Sequence, residues 1–308
     1  MYKRVADGLR FPEGPIALAD GSVVLVQIAS GDLSRVHSDG RIERIAHLGG
    51  GPNGAAIGPG GLCYICNNGG FAWHDVPGEY LRPVGLPSDY AGGRIERVEL
   101  TTGRSEILYT HCNGVALRGP NDIVFDSEGG FWFTDLGKIS GRSMDRGSVF
   151  YARADGSLIR EVIFPMTTPN GIGLSPDGHT LYVSETDTSR LWAFTITGEG
   201  EIAQAPWPSP HGGRIVFGAG GYDRFDSLAI EAGGNVCVAS IVRGGVAVIS
   251  PAGELVEFVE TPVPYCTNIA FGGPDLSTAY LTLSGTGELL AVAWPRPGLR
   301  LSHQHSQR

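Results

Sequence analysis

Along this chain a polar residue opens a short apolar run six times, and each run closes on Gly, Asp or Pro. The repeats open at Glu13 (Phe11-Pro-Glu13-Gly-Pro-Ile-Ala), Asn53 (Gly-Pro-Asn53-Gly-Ala-Ala-Ile) and Asn121 (Gly-Pro-Asn121-Asp-Ile-Val-Phe). They continue at Asn170 (Thr-Pro-Asn170-Gly-Ile-Gly-Leu), Asp226 (Arg-Phe-Asp226-Ser-Leu-Ala-Ile) and Thr267 (Tyr-Cys-Thr267-Asn-Ile-Ala-Phe). After each turn a second run follows: Val23–Val26, Leu62–Cys66, Phe131–Thr134, Leu181–Ser184, Val236–Ala239 and Ala279–Leu283. Third runs such as Arg190–Thr195 and Gly245–Ile249 come next. Short β-branched and aromatic runs punctuated by turn residues are strands. No stretch has helical apolar spacing with end caps.

Six repeats in 308 residues leave about 50 for each, the length of a four-stranded propeller blade. The pattern therefore predicts one six-bladed β-propeller over residues 1–295. The last repeat supplies only three runs, ending at Glu288–Trp294, so residues around Lys3–Ala6 are expected to complete its sheet and close the ring. Residues 296–308 read as a flexible C-terminal tail. One anchor spacing, from Asn53 to Asn121, is much longer than the others; its excess, from Asn67 to Gly93, carries Phe71, Trp73, His74, Tyr80 and Tyr90. A long insertion of this kind is a lid or binding loop.

Composition narrows the class. Gly accounts for 47 residues, as a turn-rich β fold requires. The net charge of −9 argues against nucleic acid and anionic membranes as partners. No apolar run has the length of a membrane helix, and the first residues carry no apolar secretion signal. Five cysteines are too few and too odd for a disulfide framework. The expectation is a cytoplasmic protein, a monomer or weak homo-oligomer.

In a propeller the six anchors point to one axis. Two acids with carboxamide oxygens converging there make an oxygen-rich cation site. Asn and Asp also cap tight turns, which is the competing account of any single anchor. Other motifs carry less. Gly49–Gly54 has dinucleotide-fingerprint spacing without a following helix, and Cys63 and Cys66 fall on opposite faces of a strand. No Gly-x-Ser-x-Gly elbow occurs. His111 and Glu185 read as surface or loop residues, and His303 and His305 as solvated.

The ordered set Phe11-Pro-Glu13-Gly, Gly119-Pro-Asn121-Asp122, Pro169-Asn170-Gly and Phe225-Asp226-Ser227 resembles the gluconolactonase, regucalcin and luciferin-regenerating-enzyme family. It is most similar to the bacterial drug-responsive lactonase branch. The resemblance implies one divalent metal ion held by Glu13, Asn170 and Asp226. Calcium is the first choice, with Zn²⁺, Mn²⁺, Mg²⁺ and Fe²⁺ also compatible. It implies a small-molecule lactone opened by a polarised carbonyl and an activated water. Asp226 is the expected general base and Asp122 the second candidate. Asn121 handles substrate or water, with Asn53, Trp73 and His74 expected to complete the substrate side. One departure stands out: the animal sugar-lactone enzymes carry an Arg where this chain has Gly119, and Arg118 is the nearest replacement. The rival functions are a promiscuous phosphotriesterase or arylesterase on the same site, and a non-catalytic propeller that binds calcium or a partner.

Overall fold

The computed structural model describes residues 1–303 of the 308. Six antiparallel sheets of at least four strands stand around a central channel, and the only helix among the described residues is a single 3₁₀ turn at Pro59–Gly61. The innermost strands are Pro12–Ala17, Pro52–Ile57, Pro120–Phe125, Pro169–Leu174, Phe225–Ile230 and Cys266–Gly272. Each begins at or beside its predicted anchor. The fourth blade takes an extra turn through Glu201–Ile202 before its outer strand, Arg214–Gly218.

The ring closes as the incomplete sixth repeat requires. Lys3–Ala6 pairs with Glu288–Ala293, placing Lys3 opposite Ala291 and Arg4 opposite Leu290. A closed ring leaves no exposed inner edge to recruit another strand.

The core is divided into layers between neighbouring blades rather than gathered in one mass. Tyr64, Cys66 and Ile95 of blade two pack on Phe125, Phe131 and Phe133 of blade three. Trp132, Val149 and Tyr151 of blade three meet Leu181, Val183 and Trp192 of blade four. Both faces of a blade are thus covered, so its second strand reads as an unbroken apolar run: Val23, Val24, Leu25 and Val26 are all wholly buried. Cys63 faces blade one and Cys66 faces blade three, on opposite sides of their strand, and all five cysteines are free and buried.

The end of the chain differs from expectation. Glu231 is buried at the base of blade five, where burial alone would penalise its charge. It accepts hydrogen bonds from Trp294 Nε1 at 2.7 Å, Asn235 Nδ2 at 2.8 Å and Arg296 Nε at 2.7 Å. Leu299 N–H then donates to Ile230 O at 2.7 Å, and His303 meets the Phe125 ring edge-on. Residues 296–303 are therefore seated across the base of the ring, because the buried carboxylate needs their arginine. His305 lies outside the described residues.

Candidate functional site

The inner strands share an irregularity that positions the site. In every blade the pairing of inner and second strand slips beside the anchor: between Glu13 and Ile16, Pro52 and Gly54, Pro120 and Ile123, Pro169 and Ile172, Phe225 and Leu228, and Cys266 and Asn268. A bulge turns one side chain out of the sheet plane, here toward the axis. The glycines of the motif have a second purpose. A Cβ on Gly54 would lie 2.4 Å from Asn121 O, and one on Gly171 would lie 2.8 Å from Asp226 O. Their absence of a side chain lets each anchor strand approach the next.

Hydroxyls on the second strands fasten this arrangement. Ser184 Oγ accepts from Gly171 N–H at 2.8 Å in its own blade and donates to Asp226 O at 2.6 Å in the next. Thr134 Oγ1 accepts from Asp122 N–H at 3.0 Å and donates to Asn170 O at 2.6 Å. Ser284 Oγ donates to Pro12 O across the closing seam. Bulge N–H groups and anchor carbonyls that would otherwise be orphaned are satisfied between blades.

Glu13, Asn53, Asn121, Asn170 and Asp226 line one cavity of about 570 Å³. They form its polar floor, and its walls are largely apolar, including Phe11, Ile28, Leu136, Ile139 and Ile241. The insertion roofs it: Phe71 and the stretch Pro83, Val84, Gly85 and Leu86 reach the cavity. That roof is tied down by Leu81 N–H to Gly285 O at 3.0 Å, by Tyr80 stacked on Tyr265 and by Trp73 against Phe11.

The expected residues do not all meet. Trp73 is spent on the rings of Phe11 and Phe71 and does not line the cavity. His74 Nε2 pairs with Glu79 at 2.7 Å on the outer side of the hairpin. The sixth anchor, Thr267, bonds Thr282 Oγ1 at 3.0 Å and also supports Glu13, to whose Oε2 its neighbour Asn268 donates at 2.8 Å. Asp122 faces the narrow apolar channel that continues beyond the floor, not the main cavity. Gly119 has no room for a side chain, since a Cβ would stand 2.5 Å from Gly137 O. Arg118 turns outward to Asp145 at 2.9 Å and does not replace it in the cavity. Sequence reasoning missed Lys138, Arg224, Thr186 and Tyr265, which all line the cavity.

Electrostatically the floor is a group of buried acids with no basic partner in ion-pair contact among the described residues. Burial raises the carboxyl of Glu13 above its ordinary range, against the hydrogen bonds from Thr267, Asn268 and Gly14. Burial and then the charge of Glu13 push Asp226 well up. Asp122 is pushed up to about 7 by burial, with Glu13 adding to it. Asn121 Oδ1 is buried with no hydrogen-bond partner, while Asn170 is held by Nδ2 donating to Thr186 Oγ1 at 3.0 Å. No group of three or more His, Cys, Asp or Glu side chains at metal-binding separation occurs among the described residues. The candidate set instead mixes two carboxylates with carboxamides. Arg224, ion-paired to Asp187, eases the Asp226 charge only from a distance; acid oxygens with no cation in contact among the described residues and an orphaned carboxamide oxygen fit a hard divalent cation.

The sequence model of the family described as SMP-30/Gluconolactonase/LRE-like region matches residues 11–285, nearly the whole ring. The chain belongs to that family. Lactonase drp35 of Staphylococcus haemolyticus is 34% identical over 133 residues, which are 43% of this chain and 39% of that protein. The chain thus spans well under half the length of that relative. A gluconolactonase from Xanthomonas campestris superimposes with a TM-score of 0.74 at 22% identity, covering 96% of this chain and 89% of the other. A calcium-binding regucalcin from Agrobacterium tumefaciens superimposes at 0.70 with 20% identity and 95% of both chains covered. At such identities the two structures speak for the shared propeller alone.

Proposed function

We propose that this protein is a divalent-metal-dependent hydrolase that opens a lactone. The observation that supports the reading most is the floor itself: Glu13 and Asp226 buried together, with Asn170 and Asn121, beneath a largely apolar wall and with no ion-paired base among the described residues. Relatives named as lactonase and gluconolactonase fit the same reading. Glu13, Asn170 and Asp226 would hold the ion. When bound, a divalent cation polarises a carbonyl and stabilises the negative charge that develops on its oxygen.

The chain's own residues then handle the water and its proton. Asn121 orients the water, which donates to its unsatisfied carboxamide oxygen, or the ring ester, which accepts from its Nδ2. Asp226 and Glu13 are the two carboxylates that line the cavity; Asp226 is assigned as the base that takes the proton as water oxygen bonds to the carbonyl carbon. Cleavage of the ring C–O bond returns that proton to the departing alkoxide, giving a hydroxy acid. The apolar walls limit water around the acids and strengthen these interactions.

The test is lactone hydrolysis followed by pH-stat, on sugar and aromatic lactones, before and after chelation and with single divalent ions added back. Chelator-sensitive turnover restored by one ion supports the reading, and Asp226→Ala should then lose ion binding and turnover together. Asn121→Ala should act mainly on KM. Ion binding with no turnover on any lactone or aryl ester would instead favour a calcium-binding propeller without catalysis.

A further inference from the structure

Lys138 is the least expected side chain in the cavity wall. It is 5% exposed, and no carboxylate lies within ion-pair distance of it among the described residues. Its Nζ donates to two neutral acceptors, Gly70 O at 2.9 Å and Asn68 Oδ1 at 3.3 Å. An ammonium has three donors, so one remains. The rest of its surroundings are aromatic, with the Phe71 ring centre 4.2 Å away and that of Tyr90 at 5.3 Å.

The nearest acids are already committed to other groups. Asp135 accepts from the backbone N–H groups of Arg118, Gly119 and Gly137. Asp145 accepts from Arg118 Nε and from the backbone N–H of Lys138 itself. Packing alone calls for no charge here, since a Met or Leu would fill the same wall. Burying an ammonium is costly; the charges of Asp135 and Asp145 offset that cost only from beyond ion-pair contact, and a ligand that brings an anion into contact would offset more of it. Lys138 and Phe71 line the same cavity as Glu13, Asn170 and Asp226, so such an anion would belong to the molecule lying on the floor.

We propose that Lys138 selects the substrate, and that the substrate is a lactone carrying a carboxylate, which the ammonium receives while the ring ester lies over the acidic floor. This rests on the lactone-hydrolase reading. Burial holds the amine down to about 7, so a bound carboxylate would also draw it back to the charged form.

The probes are γ-butyrolactones with a carboxylate at C5, attached directly or through one or two methylenes, each compared with its carboxamide. A desolvated charged hydrogen bond supports a roughly 10- to 100-fold preference in kcat/KM for one acid over its amide. In Lys138→Met that ratio should collapse to about one, through KM rather than kcat, while Lys138→Arg should retain a preference. The acid-to-amide comparison needs only the unaltered protein, so it stands even if Lys138→Met folds poorly. Turnover of amides as fast as acids by the unaltered protein would overturn the assignment and leave the hydrolase reading in place. So would equal losses on both members of a pair in a folded Lys138→Met. Failure to open any lactone with any divalent ion would overturn the hydrolase reading, and this one with it.

Discussion

Asp122 gives the sharpest quantitative prediction. Its carboxyl is buried and pushed up to about 7 from 3.8, chiefly by that burial. Between those values the folded chain keeps the proton and the unfolded chain releases it, so the folded state binds more protons and loses stability as pH rises. Three units at 1.36 kcal/mol each give about 4 kcal/mol lost from pH 4 to 7. An unfolding entropy of about 2.1 cal/mol/K per residue over 308 residues makes each kcal/mol about 1.5 °C, so the drop is roughly 6 °C. Asp122→Asn keeps the shape, and its Oδ1 can still accept from Ile123 N–H. It removes the titration and also relieves Asp226, whose carboxyl Asp122 helps to raise. Calorimetry of both proteins in chelator, from pH 4 to 7.5, should show the variant gaining on the wild type steadily as pH rises. A saturating divalent ion should stabilise the wild type more at pH 7.5 than at pH 4, because its ligands must be ionised. If the gap between the two melting temperatures in chelator is the same at every pH, the carboxyl is not held protonated and the reasoning fails.

Ser184→Ala leaves Gly171 N–H and Asp226 O without their shared partner, a loss of about 2–4 kcal/mol. The melting temperature should fall by roughly 3–6 °C, and an unchanged melt would show the inter-blade bond to be dispensable. Gly54→Ala drives a methyl into the Asn121 carbonyl, at about 1–3 kcal/mol. It should also weaken divalent-ion binding in calorimetric titration, which a purely local strain would leave intact. Arg296→Met removes the charged partner of Glu231; with the arginine about one-third exposed, the expected cost is about 2 kcal/mol, less than for a fully enclosed pair. Glu231 is held below the ordinary carboxylate range in spite of burial. The penalty should therefore be full above about pH 4.5 and shrink as the medium becomes more acid, which melts at pH 3.5 and 7 would reveal.

The anchors were legible because a propeller states its period in turn chemistry: each polar residue precedes an apolar run and a Gly-rich turn, and the spacing counts the blades. Ring closure was legible from the missing fourth run of the last repeat. The cavity wall was not. Lys138 follows the end of a second strand in an insertion before the third, a place where only blade two carries another hairpin, so no blade-to-blade periodicity marks it. Trp73 and Phe71 are equally aromatic in sequence, yet one packs on the ring of the other and only Phe71 reaches the cavity. The side a hairpin presents depends on contacts with distant residues such as Phe11 and Tyr265. Residues 296–303 escaped because their role follows from a carboxylate, Glu231, buried 65 positions upstream of Arg296.

The hydroxyl bonds between blades have a consequence for how this scaffold can change over generations. Thr134 sets the carbonyl of Asn170, and Ser184 that of Asp226, so an anchor answers to the blade before it as well as to its own strand. Mutations at these interior hydroxyls, far from any substrate, should be purged nearly as strictly as changes at the ligands. The roof hairpin and the turn bearing Lys138 supply no such bond to an anchor, and they are where a lineage is free to drift toward a different lactone.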